Sequence, residues 1–303
     1  MNWFSRFRSG EVFATRMWLI ATCLSLVAFP TSAEALRLTN DGLTKTSPTF
    51  VDRSGDELLY VVEDLPTRMR LMRLRLADGQ TEPVHPDATQ SEFEPACTLD
   101  GRMRSYVRSK GNLNLVLVIE EPAAMRETVL NVGTGFAGPR SPTFSPDNLR
   151  VIYSFADEGR QHLYAVGVDG TGQRRFIDSS GLNNWPHFTP DGKQLVFGSS
   201  RDGDFEIYVA AADGSNVRRL TNSPGQDIRP RVSPDGRRIV FTSARSGNYE
   251  IYVMNLDGSG VHRITDHPER DDYPAWHPDS RRLVIVSERE GRQDLYWVNV
   301  PSD

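Results

Sequence analysis

The chain reads as an all-β protein, a six-bladed β-propeller closed by an N-terminal strand. Three observations predict this. A unit of 44 to 47 residues recurs six times. Each full copy holds four strand-like runs separated by turn residues. The last copy lacks its fourth run, and a matching run stands near the start of the chain. A period of about 40–45 residues is what a four-stranded propeller blade needs.

One proline per copy sets the register: Pro48, Pro95, Pro142, Pro186, Pro230 and Pro274, at intervals of 47, 47, 44, 44 and 44 residues. Two positions later stand Phe50, Cys97, Phe144, Phe188, Val232 and Trp276. Five positions after the proline come Asp100, Asp147, Asp191, Asp235 and Asp279, with Arg53 in the first copy. A residue that tolerates positive φ follows in most copies, such as Gly101, Asn148, Gly192 or Gly236. Eleven positions after the proline lie Tyr106, Tyr153, Phe197, Phe241 and Ile285; Tyr60 comes one later, because its turn is longer.

The copy from Asp227 to Thr265 illustrates the strands. Pro230 to Ser233 is the first. Pro234-Asp235-Gly236 is a tight turn, in which proline presets φ and glycine takes the left-handed position. Arg238 to Ser243 is the second strand, and its apolar Ile239-Val240-Phe241 suits a sheet covered on both faces. Ser246-Gly247-Asn248 turns the chain into the third strand, Glu250 to Asn255. Asp257-Gly258 turns it again into the outer strand, Val261 to Thr265. One such sheet cannot bury both faces alone, whereas six in a ring can.

The closure follows from the ends. The sixth copy stops at Val300, after its third strand. Leu36-Arg37-Leu38-Thr39 matches Arg219-Leu220-Thr221 and Arg263-Ile264-Thr265, and each threonine precedes a register proline by nine residues. The N-terminal strand therefore completes the sixth blade and removes the exposed edges at the seam.

Residues 1–35 read as a cleaved secretory signal. Arg6, Arg8 and Arg16 precede the apolar run Met17 to Phe29, and the small-residue sites Thr31-Ser32-Ala33 and Ala33-Glu34-Ala35 follow. Thirteen apolar residues fall short of the ~20 that span a bilayer, and no later segment is long enough. Residues 36–303 then form one propeller. Cleavage removes three arginines and two glutamates, so 35 − 3 = 32 basic and 40 − 2 = 38 acidic residues remain, a net charge of −6. An acidic chain of this kind argues against nucleic acid as a partner. Cys97 is the one cysteine left. It takes the place of Phe, Trp or Val in other copies, so it reads as a small buried hydrophobe.

The first two copies depart most from the pattern. Residues 79–91 and 131–139 read as long connections, and Glu121-Pro122 replaces the Asp-Gly of later copies. No G-x-S-x-G, H-E-x-x-H or phosphate-loop motif is present. The histidines, His85, His162, His187, His262, His267 and His277, are scattered, and His277 reads as a turn substitution. The recurrent aspartates bond their own turns. Asp202, Asp204 and Glu206 read as a solvated turn, and Arg37, Arg218, Arg219 and Arg263 as a charged outer edge.

One set stands out. Three positions before the proline are Glu92, Asn183, Asp227 and Asp271, with Lys45 and Pro139 in the other copies. The first strand of a propeller blade lines the channel, so these side chains are expected to ring one mouth. They would hold a polar ligand or a cation such as Ca²⁺ through oxygen ligands. The alternative is that each carboxylate caps its own loop. No other cofactor is expected.

The motif P-x-W/F-S-P-D-G-x-x-I-x-F-x-S-x-R-x-G-x-x-x-I-Y-x-x-x-x-D-G resembles the WD40-like, or PD40, repeat of the TolB family. Its best copies run from Pro186 to Gly214 and from Pro230 to Gly258, and the resemblance covers about residues 36–303. It implies a six-bladed propeller in the periplasm, acting without catalysis in the Tol–Pal envelope system. The implied partner is an envelope protein, a Pal-like lipoprotein bound over the channel face, with the chain itself a monomer. TolB carries an α/β domain ahead of its propeller, which this sequence lacks. Similar repeats occur in prolyl-oligopeptidase-like peptidases and in oligogalacturonate lyases. A channel-based enzyme or binding protein for an oligosaccharide, small ligand or cation is therefore the alternative.

Overall fold

The computed structural model describes residues 35–65, 67–111, 114–132, 138–178 and 180–301. The expected signal lies, but for Ala35, outside them, as does part of the 131–139 connection. Six four-stranded antiparallel sheets follow one another along the chain. Blade 5 shows the pattern: Asp227–Val232, Arg238–Ser243, Glu250–Asn255 and His262–Arg263. The second and third strands match the sequence reading residue for residue. The inner strand starts three residues earlier than expected, and the outer strand is shorter.

The inner strands are Lys45–Phe50, Glu92–Cys97, Arg140–Phe144, Asn183–Phe188, Asp227–Val232 and Asp271–Trp276. The register proline thus sits in mid-strand. It has no N–H for the ladder, and strands accommodate such a residue at a bulge. All six inner strands shift register across it, as between Ile228 and Arg231 or between Asp272 and Ala275. The residue before each proline adopts a left-handed φ of 49° to 55°: Ser47, Glu94, Ser141, Trp185, Arg229 and Tyr273.

The N-terminal strand closes the ring. Leu36 pairs with Trp297 and Arg37 with Tyr296, and the Leu38 N–H donates to the Leu295 carbonyl at 2.8 Å. Packing agrees. Six apolar clusters each join two neighbouring blades. One holds Phe188, Leu195 and Phe197 of blade 4 against Ile152 and Leu163 of blade 3. The cluster at the seam sets Leu58, Tyr60 and Leu74 of blade 1 against Val284, Val286 and Leu295 of blade 6. Burying both faces of every sheet supplies the hydrophobic stabilisation, ~25 cal/mol per Å² of apolar surface.

The turns behave as the sequence implies. Asp235 Oδ1 accepts the Arg237 N–H at 3.1 Å and the Ser233 hydroxyl at 2.6 Å. Asp191 repeats both contacts in blade 4. His277 stands at the serine position of its turn, where its Nδ1 accepts the Asp279 N–H, and it packs edge-on against Phe50. Residues 79–91 are partly strand, since Thr81–Pro83 is the outer strand of blade 1. Glu121-Pro122 opens a single 3-10 turn, Pro122–Ala124. No helix among the described residues is long and apolar enough to cross a membrane.

Candidate functional site

The residues three before the proline do not ring a mouth. Lys45, Asn183, Asp227 and Asp271 are fully buried and Glu92 nearly so, and none of them borders either of the channel cavities described below. Each is held within its own blade or by the one before. Arg201, at the end of the second strand, donates to Asn183 at 3.3 Å. Arg245 does so to Asp227 at 2.6 Å, and Arg289 approaches Asp271 at 3.3 Å. The same arginines cover aromatic rings of their blade, Arg245 lying 4.9 Å above Tyr252. Glu92 accepts from His85 at 2.7 Å. His85 also meets Glu120 at 3.2 Å, and the two carboxylates, Glu120 first, push its pKa up to about 9. Lys45 joins Asp294 at 3.0 Å. Asn183, Asp227, Asp271 and Glu92 thus pair with arginine and histidine side chains rather than capping their own loops, and the mouth ligand expected of them finds no shared site among the described residues. Among the described residues, no group of three or more His, Cys, Asp or Glu is placed to hold a metal ion.

Two further readings need correction. Glu206 is not in a solvated turn. It begins the third strand of blade 4, fully buried, and accepts Arg219 at 2.7 Å, the Thr221 hydroxyl at 2.5 Å and the Ser223 N–H at 2.9 Å. Glu250 does the same with Arg263, Thr265 and His267, and Asp294 with Arg37 and Thr39. Arg37, Arg219 and Arg263 are therefore not free edge charges. Each clips an outer strand to its sheet by charge-assisted hydrogen bonds. Arg218 remains exposed.

The mouth is lined two positions further along. A cavity of about 300 Å³ is bounded by Ser47, Glu94, Ser141, Trp185, Arg229 and Tyr273, the six left-handed residues, together with Arg140, Gln161, Asn184 and Arg231. The bulge re-aims these side chains into the channel. Arg229 lies between two rings, 4.0 Å from the centre of Tyr273 and 5.2 Å from that of Trp185. It also approaches Asp272 at 3.4 Å. Glu94 accepts the Ser141 N–H at 2.6 Å and stands 3.4 Å from Arg140. Three arginines against one glutamate give this lining a positive sign, which disfavours the expected cation.

A second cavity of about 480 Å³ continues the channel, sharing Pro95, Pro142 and Arg231 with the first. Phe50, Cys97, Phe144, Phe188, Val232 and Trp276 surround it. Cys97 takes the hydrophobic position expected of it but is half-buried in the cavity wall rather than buried; desolvation pushes its thiol up to about 12, which disfavours the thiolate. Burial also brings Arg231 down to about 10, with Arg229 adding to the shift. His187, beside Arg231, is held neutral, its pKa pushed down to about 3 by burial and by the Arg231 charge. Its Nδ1 accepts the Val232 N–H at 3.2 Å, so the proton resides on Nε2. The prolines inside the strands were the available signal for this arrangement, since a mid-strand proline implies a bulge.

The family model of the TolB beta propeller domain matches residues 171–267 and 221–303. Residues 171–303 thus carry repeats of the TolB β-propeller type. No curated protein matches the chain in sequence. Among solved structures, a putative TolB from Agrobacterium tumefaciens is 21% identical with a TM-score of 0.69, over 89% of this chain and 98% of that one. TolB from Acinetobacter baumannii is 22% identical with a TM-score of 0.67, over 82% of this chain and 65% of that one. An oligogalacturonate lyase in complex with manganese is 19% identical with a TM-score of 0.60, over 90% and 95%. At such identities the likeness shows the fold. The same TolB-type propeller shape therefore occurs in a named enzyme, and fold alone does not choose between recognition and catalysis.

Proposed function

We propose that the mature chain is a non-enzymatic recognition module of the cell envelope, exported to the periplasm by residues 1–35 and monomeric. Its binding face is the mouth lined by Ser47, Glu94, Ser141, Trp185, Arg229 and Tyr273. The observation that carries this reading is the bulge in every inner strand, which presents one side chain per blade on a rigid ring. Trp, Tyr and Arg, the types that dominate binding energy at protein interfaces, stand together there. The TolB-type repeats support a protein partner of the envelope, and a Pal-like lipoprotein is the class proposed. A photo-crosslinking residue placed at Ser47, in intact cells, is expected to capture one envelope protein. That capture should disappear with Trp185→Ala. The same probe at Lys193, in the turn at the opposite end of the channel, should not capture it. Equal capture from both positions, or indifference to Trp185→Ala, overturns the reading.

A further inference from the structure

The chain carries a net charge of −5, yet its channel is basic. The mouth cavity is bounded by Arg140, Arg229 and Arg231 and by a single carboxylate, Glu94. These charges are unequally satisfied. Glu94 is committed to the Ser141 N–H and to Arg140. Arg229 shares Asp272 with Arg270. Arg231 makes no ion pair with any described residue, although it is the charged side chain that borders both cavities.

Arg231 is half-buried, and Glu94 attracts it only at longer range than an ion pair; withdrawing a guanidinium even partly from water without a direct partner is costly. Here a second arginine, two residues away, adds repulsion. The walls around Arg231 are largely apolar, with Phe144, Phe188, Trp276 and several prolines, so an opposite charge entering the channel is weakly screened. The planar fork of arginine matches the two oxygens of a carboxylate or a phosphoryl group. His187 adds a neutral donor to the same wall, because its Nδ1 is taken by the Val232 N–H. The two cavities, about 300 and 480 Å³, fall in the size range of small-molecule pockets.

We propose that the channel binds a small oxyanion ligand, whose carboxylate or phosphoryl group is held by Arg231, with Arg229 and the His187 Nε2–H as neighbours. This goes beyond protein docking and does not depend on it, since it concerns the channel of the isolated chain.

Titration calorimetry of the mature protein at low ionic strength tests the proposal with three probes: glucuronate, inorganic phosphate and glucose. Binding of glucuronate or phosphate is expected, and whichever binds identifies the source of the oxyanion. Glucose should give no heat. Arg231→Gln should weaken binding about tenfold or more. Arg140→Gln, at the half-exposed rim, should weaken it less, and it serves if Arg231→Gln does not fold. Arg218→Gln, on an outer strand, should leave the affinity unchanged. The proposal is overturned if neither anion binds or if glucose matches glucuronate. It is equally overturned if the folded variants among Arg231→Gln and Arg140→Gln bind as tightly as the parent.

Discussion

Six non-glycine residues hold the backbone at positive φ immediately before a proline. For an L-residue this region costs ~1–2 kcal/mol. Ser47 tests that cost, because its side chain is small. Ser47→Gly should be the most stable form, by up to ~1 kcal/mol, after the entropy that glycine loses on folding is subtracted. Ser47→Val should be the least stable, since a β-branched residue is a genuine outlier there. At ~2–4 °C per kcal/mol, thermal melting should rank glycine, serine, valine from high to low. A valine variant that melts with the parent would refute the left-handed bulge. This conformation is also why the mouth was misread from the sequence. Read as an ordinary strand opening at Pro230, the blade placed Asp227 at the channel. With the bulge, Asp227 is buried in the sheet and Arg229 faces the mouth. By contrast, Cys97 and His277 were legible, because both substitute into a position whose role the other copies define.

At the scale of the element, the outer clip and the inner strand bring carboxylates together between blades. Burial pushes Asp271 up to about 7, and Glu250 of the preceding blade adds to the shift. The contact to Arg289, at 3.3 Å, does not offset it. The folded carboxyl thus titrates above the unfolded value of ~3.9. Between those values the native state binds more protons than the unfolded state, so stability falls as pH rises from about 4 to about 7. Asp271→Asn removes this contribution. It should flatten the pH dependence and gain on the order of 2–4 kcal/mol at pH 8 relative to the parent. Urea unfolding from pH 5 to pH 8 would show it, and parallel profiles for the two proteins would refute it. At the seam the arrangement differs. Burial opposes ionisation of Asp294, but Thr39, Arg37 and Lys45 together hold it below the usual carboxylate range. The second and third strands were legible from apolar pattern and turn residues. The clip was not, because Glu206 looks like any acidic turn residue until Thr221 and Arg219 close over it.

At the scale of the molecule, the seam is the point of least redundancy. Deleting Leu36 to Asn40 bares the edge of Arg292–Asn299 and takes Arg37 and Thr39 from the buried Asp294. Breaking such a buried set costs ~3–5 kcal/mol, so the melting temperature should fall by about 10 °C. A deletion that melts with the intact mature chain would show that closure does not depend on this strand. Blade count, strand order and the closing strand were determined by the sequence alone. Each rests on local chemistry that repeats every 44 to 47 residues: a turn, an apolar run, a matching end. The residues that meet in the channel were decided only by the tertiary structure. Glu94, Trp185, Arg229 and Tyr273 come from four different blades. No local pattern brings them together; ring closure does so, and the one-residue bulge decides which side chains face inward.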